Sequence, residues 1–343
     1  MKRLLPLLAT AALALSLTAC TDDSPEETPT PAPTAPASTL VPGACIATNG
    51  TPNLLGDVDV TEDAIVACED PHVYEVLAVQ DLPGEYLQGT AATEADRERL
   101  QAALDGSRND AVQMKFAAFA RAYCAIGLQR ATGLTDLEMA ATDAANLLAT
   151  PITRTSSTRA VLPPAGWTEQ PVLICVNRFT EPSPAPESAP AIQVSGLVTP
   201  QLLTDELPAE QRLCLNFDVN GTPADAPCAA DHDAEYTVTF DATALLEPEQ
   251  LAAAVGDLGA PFPTDVQEQL DEACTDALSR VIGDDRDESL VGRALRGSEG
   301  WGSGSTTNAV DCVATPEDAA GFLLPAGSII GIGDADVELV PRA

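Results

Sequence analysis

Positive charge and several chemically versatile residue types are scarce in this chain of 343 residues. It carries 17 Lys and Arg against 52 Asp and Glu, which gives a formal net charge of −35. Such a charge repels the phosphates of nucleic acids and of anionic lipid headgroups, so we expect no nucleic-acid partner and no basic membrane-docking patch. There are only two His and two Trp. No apolar run reaches the roughly 20 residues that a membrane-spanning helix needs. Apolar residues still make up 45% of the chain, which is enough to bury cores.

The N-terminal residues have the composition of an export signal. Lys2 and Arg3 precede the apolar run from Leu4 to Leu17, which is too short to span a bilayer. The run ends in Leu17-Thr18-Ala19-Cys20, which resembles a bacterial lipobox; an ordinary secretory signal before a chance Cys is the alternative. The sequence therefore predicts a signal peptide over residues 1–19 and acylation, such as palmitate, at Cys20. It also predicts a lipoprotein anchored on the extracytoplasmic face of the cell membrane.

Residues 20–42 are rich in Pro and Thr and poor in apolar side chains. Such a segment cannot bury enough apolar surface to fold, so we expect an extended tether. At about 3.1 Å per residue, it would reach about 65 Å from the membrane.

The remaining eight Cys form two sets of four that keep register with the rare residues. The segments from Cys68 to Glu75 and from Cys228 to Glu235 both read C-x3-H-x2-E, and they contain the only two His, His72 and His232. Trp167 and Trp301, the only two Trp, each follow a Gly and precede the last Cys of a set. This order predicts an internal duplication, with copy 1 over 43–199, a linker over 200–211 and copy 2 over 212–343.

Each copy combines strand patterns with helical ones. Short apolar strands carry the first Cys and the last Cys, another strand follows the His, and helical segments lie between. In copy 2 the apolar spacing of three or four residues predicts a helix with one buried face, formed by Val266, Leu270, Cys274, Leu278 and Val281. The expected fold class is α+β, with two tandem small disulfide-stapled domains, each a short antiparallel sheet with packed helices.

Widely spaced Cys in even number, in an exported protein, indicate disulfides. Confining the bridges to the copies leaves nine connectivities. We favour the set in which one bridge per copy joins neighbouring strands and the other joins the helix to the last strand: Cys45–Cys68, Cys124–Cys175, Cys214–Cys228 and Cys274–Cys312. A zinc site built from Cys and His is the alternative, but the chain has no C-x-x-C pair, and we expect no metal and no cofactor.

The two His/Glu pairs are the only constellation that resembles an active site. His is suited to proton transfer near neutral pH, and Glu could orient it. Residues i and i+3 of a strand point to opposite faces, however, so we expect His72 and Glu75 to lie apart, as well as His232 and Glu235. A structural role at the start of the strand is the favoured interpretation, with catalysis or ligand binding as alternatives. The chain has no G-x-S-x-G, H-E-x-x-H or phosphate-binding Gly loop, and we expect no catalytic residue. Trp167 and Trp301 are expected in the core, with sugar-stacking surfaces as the alternative.

Four features of copy 1 together resemble the septum formation-related domain of exported, often lipidated actinobacterial proteins. They are Gly43-Ala-Cys45, the C-x-x-P-H-x-x-E segment from Cys68 to Glu75, the helical Cys124, and the stretch from Trp167 to Cys175. Copy 2 departs from the pattern, with Arg212 in place of the first Gly and Asp231 in place of the Pro before His232. The resemblance implies a role in septum formation or in the cell envelope, and no known reaction.

The leading hypothesis is a non-enzymatic envelope lipoprotein that binds a divisome protein, another envelope protein or a wall component. A wall-acting hydrolase that uses His72 and Glu75 is one alternative. A solute-binding lipoprotein is another.

Overall fold

The computed structural model describes residues 40–47, 64–134, 149–163, 166–183, 186–219, 221–256, 260–282, 288–297, 301, 308–332 and 337–342. The predicted signal peptide, Cys20 and the tether up to residue 39 lie outside the described residues. Among the described helices, none is both long and apolar enough to cross a membrane.

Copy 1 forms a five-stranded antiparallel sheet with helices against it. Its elements are β1 (Cys45–Ile46), β2 (Ile65–Val66), β3 (Tyr74–Asp81), α1 (Glu94–Leu104), α2 (Ala111–Ala131), β4 (Thr150–Pro151), β5 (Ser156–Val161) and β6 (Val172–Phe179). The strand order is β2-β1-β3-β6-β5, and β4 belongs to the other sheet. The helix α1 starts as its sequence dictates, because Thr93 and Asp96 form a capping box at its N-terminus.

Copy 2 repeats this arrangement. Its elements are β7 (Cys214–Phe217), β8 (Pro223–Ala226), β9 (Ala234–Asp241), α3 (Pro248–Ala253), α4 (Thr264–Ile282), β10 (Leu290–Arg296) and β11 (Ala309–Pro316), followed by the small pair β12 (Phe322–Leu323) and β13 (Val340–Pro341). Its strand order, β8-β7-β9-β11-β10, matches that of copy 1 strand for strand. Even the register irregularity recurs, at Leu77 of β3 and opposite Cys312 on β9. The fold class is therefore α+β, with antiparallel sheets and packed helices.

Two disulfides in each copy join its helices and strands. They are Cys45–Cys68, Cys124–Cys175, Cys214–Cys228 and Cys274–Cys312, the pairs favoured from the sequence. One bridge per copy ties the helix to the central sheet, from α2 to β6 and from α4 to β11. The other joins β1 or β7 to a Cys that lies two residues beyond the neighbouring strand, β2 or β8. The predicted stripe of α4 is fully buried in the core of copy 2.

The two copies share structure across their junction. The strand β4 of copy 1 pairs with β9 of copy 2, and Leu134 packs into the core of copy 2. Between the copies, Leu202 and Leu207 are buried against α2 and the Cys124–Cys175 bridge. The described residues from 40 onward accordingly belong to one compact unit.

Candidate functional site

The His and Glu of each repeated motif lie side by side, contrary to the sequence-based expectation. His72 forms an isolated β-bridge, the chain bends at Val73, and the regular strand β3 begins only at Tyr74. The bend changes the alternation of side chains, so His72 Nε2 comes to 3.4 Å from Glu75 Oε1. In copy 2 the same bend falls at Asp233, between His232 and β9. The expectation of opposite faces is wrong because it assumed a regular strand from the His onward.

In copy 1 the motif holds the apolar tail that follows the sheet. The His72 backbone exchanges two hydrogen bonds with Val194, and the Gly196 N–H donates to the carbonyl of Cys68 at 2.6 Å. The Glu75 carboxylate then accepts the backbone N–H groups of Val198 (2.6 Å) and Thr199 (2.9 Å). Gly196 turns the tail at a φ of 81°, in the left-handed region that favours glycine. We call this set of hydrogen bonds between the C-x3-H-x2-E motif and the tail the staple.

Copy 2 builds the same staple. The His232 backbone exchanges two hydrogen bonds with Leu324, and the Gly327 N–H donates to the carbonyl of Cys228 at 2.7 Å. The Glu235 carboxylate accepts the hydroxyl of Ser328 at 2.6 Å and the N–H of Ile329 at 2.7 Å. These partners have a partial signal in the sequence, because a Gly-containing apolar tail recurs at the end of each copy, at 194–198 and 327–330. Nothing in the sequence signals that the tail returns to the His and Glu.

The staples are closed to solvent. The exposed fractions of His72, Glu75, His232 and Glu235 lie between 0 and 2%. Each His also donates its Nδ1–H to a backbone carbonyl two residues earlier, Asp70 at 2.9 Å and Ala230 at 2.8 Å. These groups are thus bonded to their own backbone and shielded from large substrates. This geometry favours the structural interpretation of the motif over catalysis.

The electrostatics of the copy 2 staple are unusual. Burial raises the pKa of Glu235 to about 7, against the bonds from Ser328 and Ile329 and the nearby Arg212, which lower it. Burial also lowers the pKa of His232. Both shifts favour the neutral forms, and His232 Nε2 is buried with no hydrogen-bond partner in the described part of the chain. In copy 1, the corresponding His72 Nε2 faces Glu75 instead.

Arg212 is a buried residue of this site that sequence reasoning treated only as a departure from the family pattern. It stands where copy 1 has Gly43, two residues before the first Cys. Its guanidinium donates to the carbonyls of Leu202 and Thr204 in the segment that joins the copies. Burial lowers the pKa of Arg212, and the negative charge of Glu235 raises it. Arg212 therefore links the second staple to the junction between the copies.

One group in the described residues has the composition of a metal site. The ligand atoms of Cys214, His232 and Glu235 lie within 4.8 Å of one another, all buried. Cys214 is bonded to Cys228, however, and a disulfide sulfur lacks the thiolate charge that zinc prefers. With the bridge intact, the group offers one imidazole and one carboxylate, and we assign no metal to it.

Both Trp side chains belong to the cores. Trp167 and Trp301 are buried, and their indole N–H groups donate to the carbonyls of Val172 (3.1 Å) and Ala309 (2.6 Å). The rings of Trp301 and Phe262 pack edge to face with their centroids 4.9 Å apart. The Arg296 guanidinium carbon lies over the Phe262 ring, 4.2 Å from its centroid. These contacts leave no open ring face for a sugar at either residue.

Comparison with known proteins finds no matching family model, no matching curated protein and no matching solved structure.

Proposed function

We propose that this chain is a membrane-anchored envelope lipoprotein whose duplicated module binds a protein or wall component during septum formation. The proposal combines the lipobox-like sequence at Cys20, the tether and the resemblance to the septum formation-related domain. The observation that carries it is the fate of the repeated motif. His72, Glu75, His232 and Glu235, the residues best suited to catalysis, are all buried in staples.

The architecture supports a binding role for a physical reason. Four disulfides and two staples cross-link the helices, strands and tails of the two copies, so the module should lose little conformational entropy when its surface binds a partner. The strong negative charge of the chain keeps it soluble and favours encounters with positively charged surfaces.

The anchoring part of the proposal is tested at Cys20. Mass spectrometry of the mature protein should find an N-terminal acylated Cys20, and Cys20→Ala should release the chain from the membrane fraction. A mature N-terminus without acylation at residue 20 would remove the lipoprotein from the proposal.

The cellular part is tested by depletion and by localisation of a tagged full chain. We expect the protein to concentrate at division sites, and its depletion to delay septation or weaken the envelope. Unchanged septation and envelope integrity after full depletion would contradict this role. Chemical crosslinking in intact envelopes, followed by capture of the tagged chain, would then identify its neighbours.

A further inference from the structure

The two copies differ at one edge of their sheets, where β5 lies beside β6 and β10 lies beside β11. In copy 2 this edge is β10. The backbone N–H and C=O groups of β10 that point away from the sheet form hydrogen bonds with side chains of α4. The Gly292 N–H donates to Thr275 Oγ1 (3.1 Å), which donates in turn to the Gly292 carbonyl (3.2 Å). The Ala294 N–H donates to Asp271 Oδ1 (2.7 Å), and Gln267 Nε2 donates to the Ala294 carbonyl (3.0 Å). Polar side chains one helical turn apart thus take the place of a neighbouring strand.

Close approach of α4 makes this protection possible. Gly292 lies against the backbone of α4, and a Cβ at this position would come within 2.3 Å of the carbonyl carbon of Cys274. Only glycine allows the helix to sit directly over the edge strand. The edge of copy 2 is therefore closed to a further strand.

The equivalent edge of copy 1 is β5, and it has neither the polar side chains of α4 nor the glycine at position 292. Aligned on the helical Cys, the positions of Gln267 and Thr275 are occupied in α2 by Ala117 and Ala125, which have no polar side-chain atom. The position of Asp271 is occupied by Arg121, whose guanidinium cannot accept a backbone N–H. Aligned on the strand Cys, Thr158 stands where copy 2 has Gly292. Its Cβ keeps α2 from approaching as α4 does. Instead α2 makes its close contact with β3, at Gly127 against Leu77 and Ala78.

The hydrogen-bond pattern shows which groups of β5 point outward. The backbone N–H of Thr180 donates to the carbonyl of Thr155. Phe179, the neighbour of Ser156, instead donates its N–H to the carbonyl of Val73 and accepts the N–H of Ile192. Since bonded and non-bonded pairs alternate along an antiparallel ladder, Ser156, Thr158 and Ala160 direct their N–H and C=O groups away from β6. Within the described part of the chain, these outward groups have no backbone or side-chain partner. All three residues are only partly buried.

The same edge carries a local positive charge in a strongly acidic protein. Arg159 of β5 and Arg178 of β6 bond to backbone carbonyls of the 186–189 segment rather than to carboxylates. Arg159 Nε and Ser157 Oγ are buried with no hydrogen-bond partner in the described residues. Burial and the neighbouring Arg178 lower the pKa of Arg159, with Glu187 and Tyr74 opposing. Arg154, just before β5, lies 3.9 Å from Asp225. Within the described residues, the guanidinium groups of Arg159 and Arg178 therefore have no carboxylate as a hydrogen-bond partner.

We propose that the edge of β5 is the docking site of an extended, acidic segment of a partner protein, which adds a strand to the sheet of copy 1. Outward groups on alternate residues match the repeat of a β-strand, and Ser156, Thr158 and Ala160 have small side chains that leave the edge accessible. The arginines favour Asp or Glu in the incoming strand. A second copy of this chain fits less well, because its net charge would repel and it would bring the same arginines to the junction. The inference deepens the proposed binding role and rests on it.

Amide hydrogen exchange in the full chain tests the premise. The amides of Ser156, Thr158 and Ala160 should exchange rapidly, whereas those of Gly292 and Ala294 should be protected. Protection of the three β5 amides in the free protein would mean that the edge is already covered, and would overturn the proposal.

Binding is tested with a phage library of random peptides of about eight residues, near the usual strand length, panned against the full chain. We expect enrichment of peptides without Pro that carry Asp or Glu, and loss of their binding when alternate peptide amides are N-methylated. Thr158→Pro removes an outward donor and should weaken binding by about tenfold or more, while the matched Thr158→Val keeps the donor and should bind normally. Arg159→Gln should weaken the binding of acidic peptides and make it less sensitive to salt.

The N-methylated peptides use the unaltered protein, so the proposal stays testable even where Thr158→Pro impairs folding. Failure to enrich any peptide would overturn it, as would peptides that bind Thr158→Pro or tolerate N-methylation. A salt-dependent dimer that Thr158→Pro abolishes would assign the edge to a second copy instead. None of these results depends on localisation at the septum, so failure here and failure of the cellular role are distinguishable.

Discussion

At the scale of single residues, the two staples use the same Glu in different electrostatic settings. Glu75 faces the imidazole of His72, whereas Glu235 is fully buried, and its neighbouring His232 Nε2 has no partner in the described residues. Nothing in the C-x3-H-x2-E pattern distinguishes the copies. The difference lies in the tail, which offers two backbone N–H groups to Glu75 but one hydroxyl and one N–H to Glu235.

The raised pKa of Glu235 predicts that the free energy of unfolding depends on pH, and one substitution should remove this component. In the folded state the pKa is about 7, against an ordinary value of 4.5. The folded protein therefore holds this proton more tightly than the unfolded chain, and the free energy of unfolding should decrease as the pH rises from about 4.5 to about 7. Glu235→Gln keeps an acceptor for Ile329 and supplies an N–H₂ donor near His232 Nε2, so its stability should lack this component.

The measurement is the difference in unfolding free energy between wild type and Glu235→Gln, taken from urea titrations across pH 4 to 8. Other carboxylates titrate in both proteins and cancel in this difference. The variant should gain stability relative to wild type as the pH rises. A difference that is constant with pH would contradict the assignment.

At the scale of the elements, the contact between α4 and β10 depends on one glycine. Gly292→Ala would place its Cβ within 2.3 Å of the α4 backbone, and a backbone cannot rotate away as a side chain can. We expect a loss of about 3 kcal/mol or more in the free energy of unfolding, measured by chemical denaturation. Gly84→Ala is the matched control, because no atom lies within 4 Å of its added Cβ. Equal stability of the two variants would show that α4 can move away from the edge.

The four disulfides differ in how easily a reductant can reach them. Cys68 is the only partly exposed member of the four bridges, and the other seven Cys are buried. Under mild reduction of the folded chain we expect Cys45 and Cys68 to be alkylated first, as read by peptide mass mapping. The remaining bridges should yield only under conditions that unfold the protein. Early labelling of Cys124, Cys175, Cys274 or Cys312 would place those bridges nearer the surface.

The elements that sequence reasoning predicted were those with a strong local pattern. The stripe of α4 and the strands that contain Cys175 and Cys312 follow from spacing and composition. The edge strands β5 and β10 were missed, because Ser156–Val161 is largely polar and Leu290–Arg296 contains a glycine and two arginines. Their strand character comes from pairing with β6 and β11. The contact of His72 with Glu75 was missed for a related reason, since the bend at Val73 lies next to the long-range bridge between His72 and Val194.

At the scale of the whole molecule, the repeat is regular in topology but the copies depend on each other. The strand β4 of copy 1 covers Val238 and Thr239 of β9, at the place where the shorter β7 has ended. Backbone bonds from Ile152 to Thr237 and from Arg154 to Gln211 continue the contact. A chain that reads as two tandem units in sequence thus shares a sheet edge and the core residue Leu134 across the junction.

This junction predicts that copy 2 does not reach its full stability alone. A fragment of residues 212–343 would lose β4 and Leu134, and it would leave the backbone groups of Thr237 and Thr239 on the β4 side of β9 without their partners. Arg212 would also lose the two hydrogen bonds that its guanidinium donates to the carbonyls of Leu202 and Thr204. We expect a melting temperature lower by about 5 °C or more and a tendency to aggregate, read by calorimetry and light scattering. If this fragment melts at the temperature of the full chain, then copy 2 is stable by itself and the shared edge contributes little.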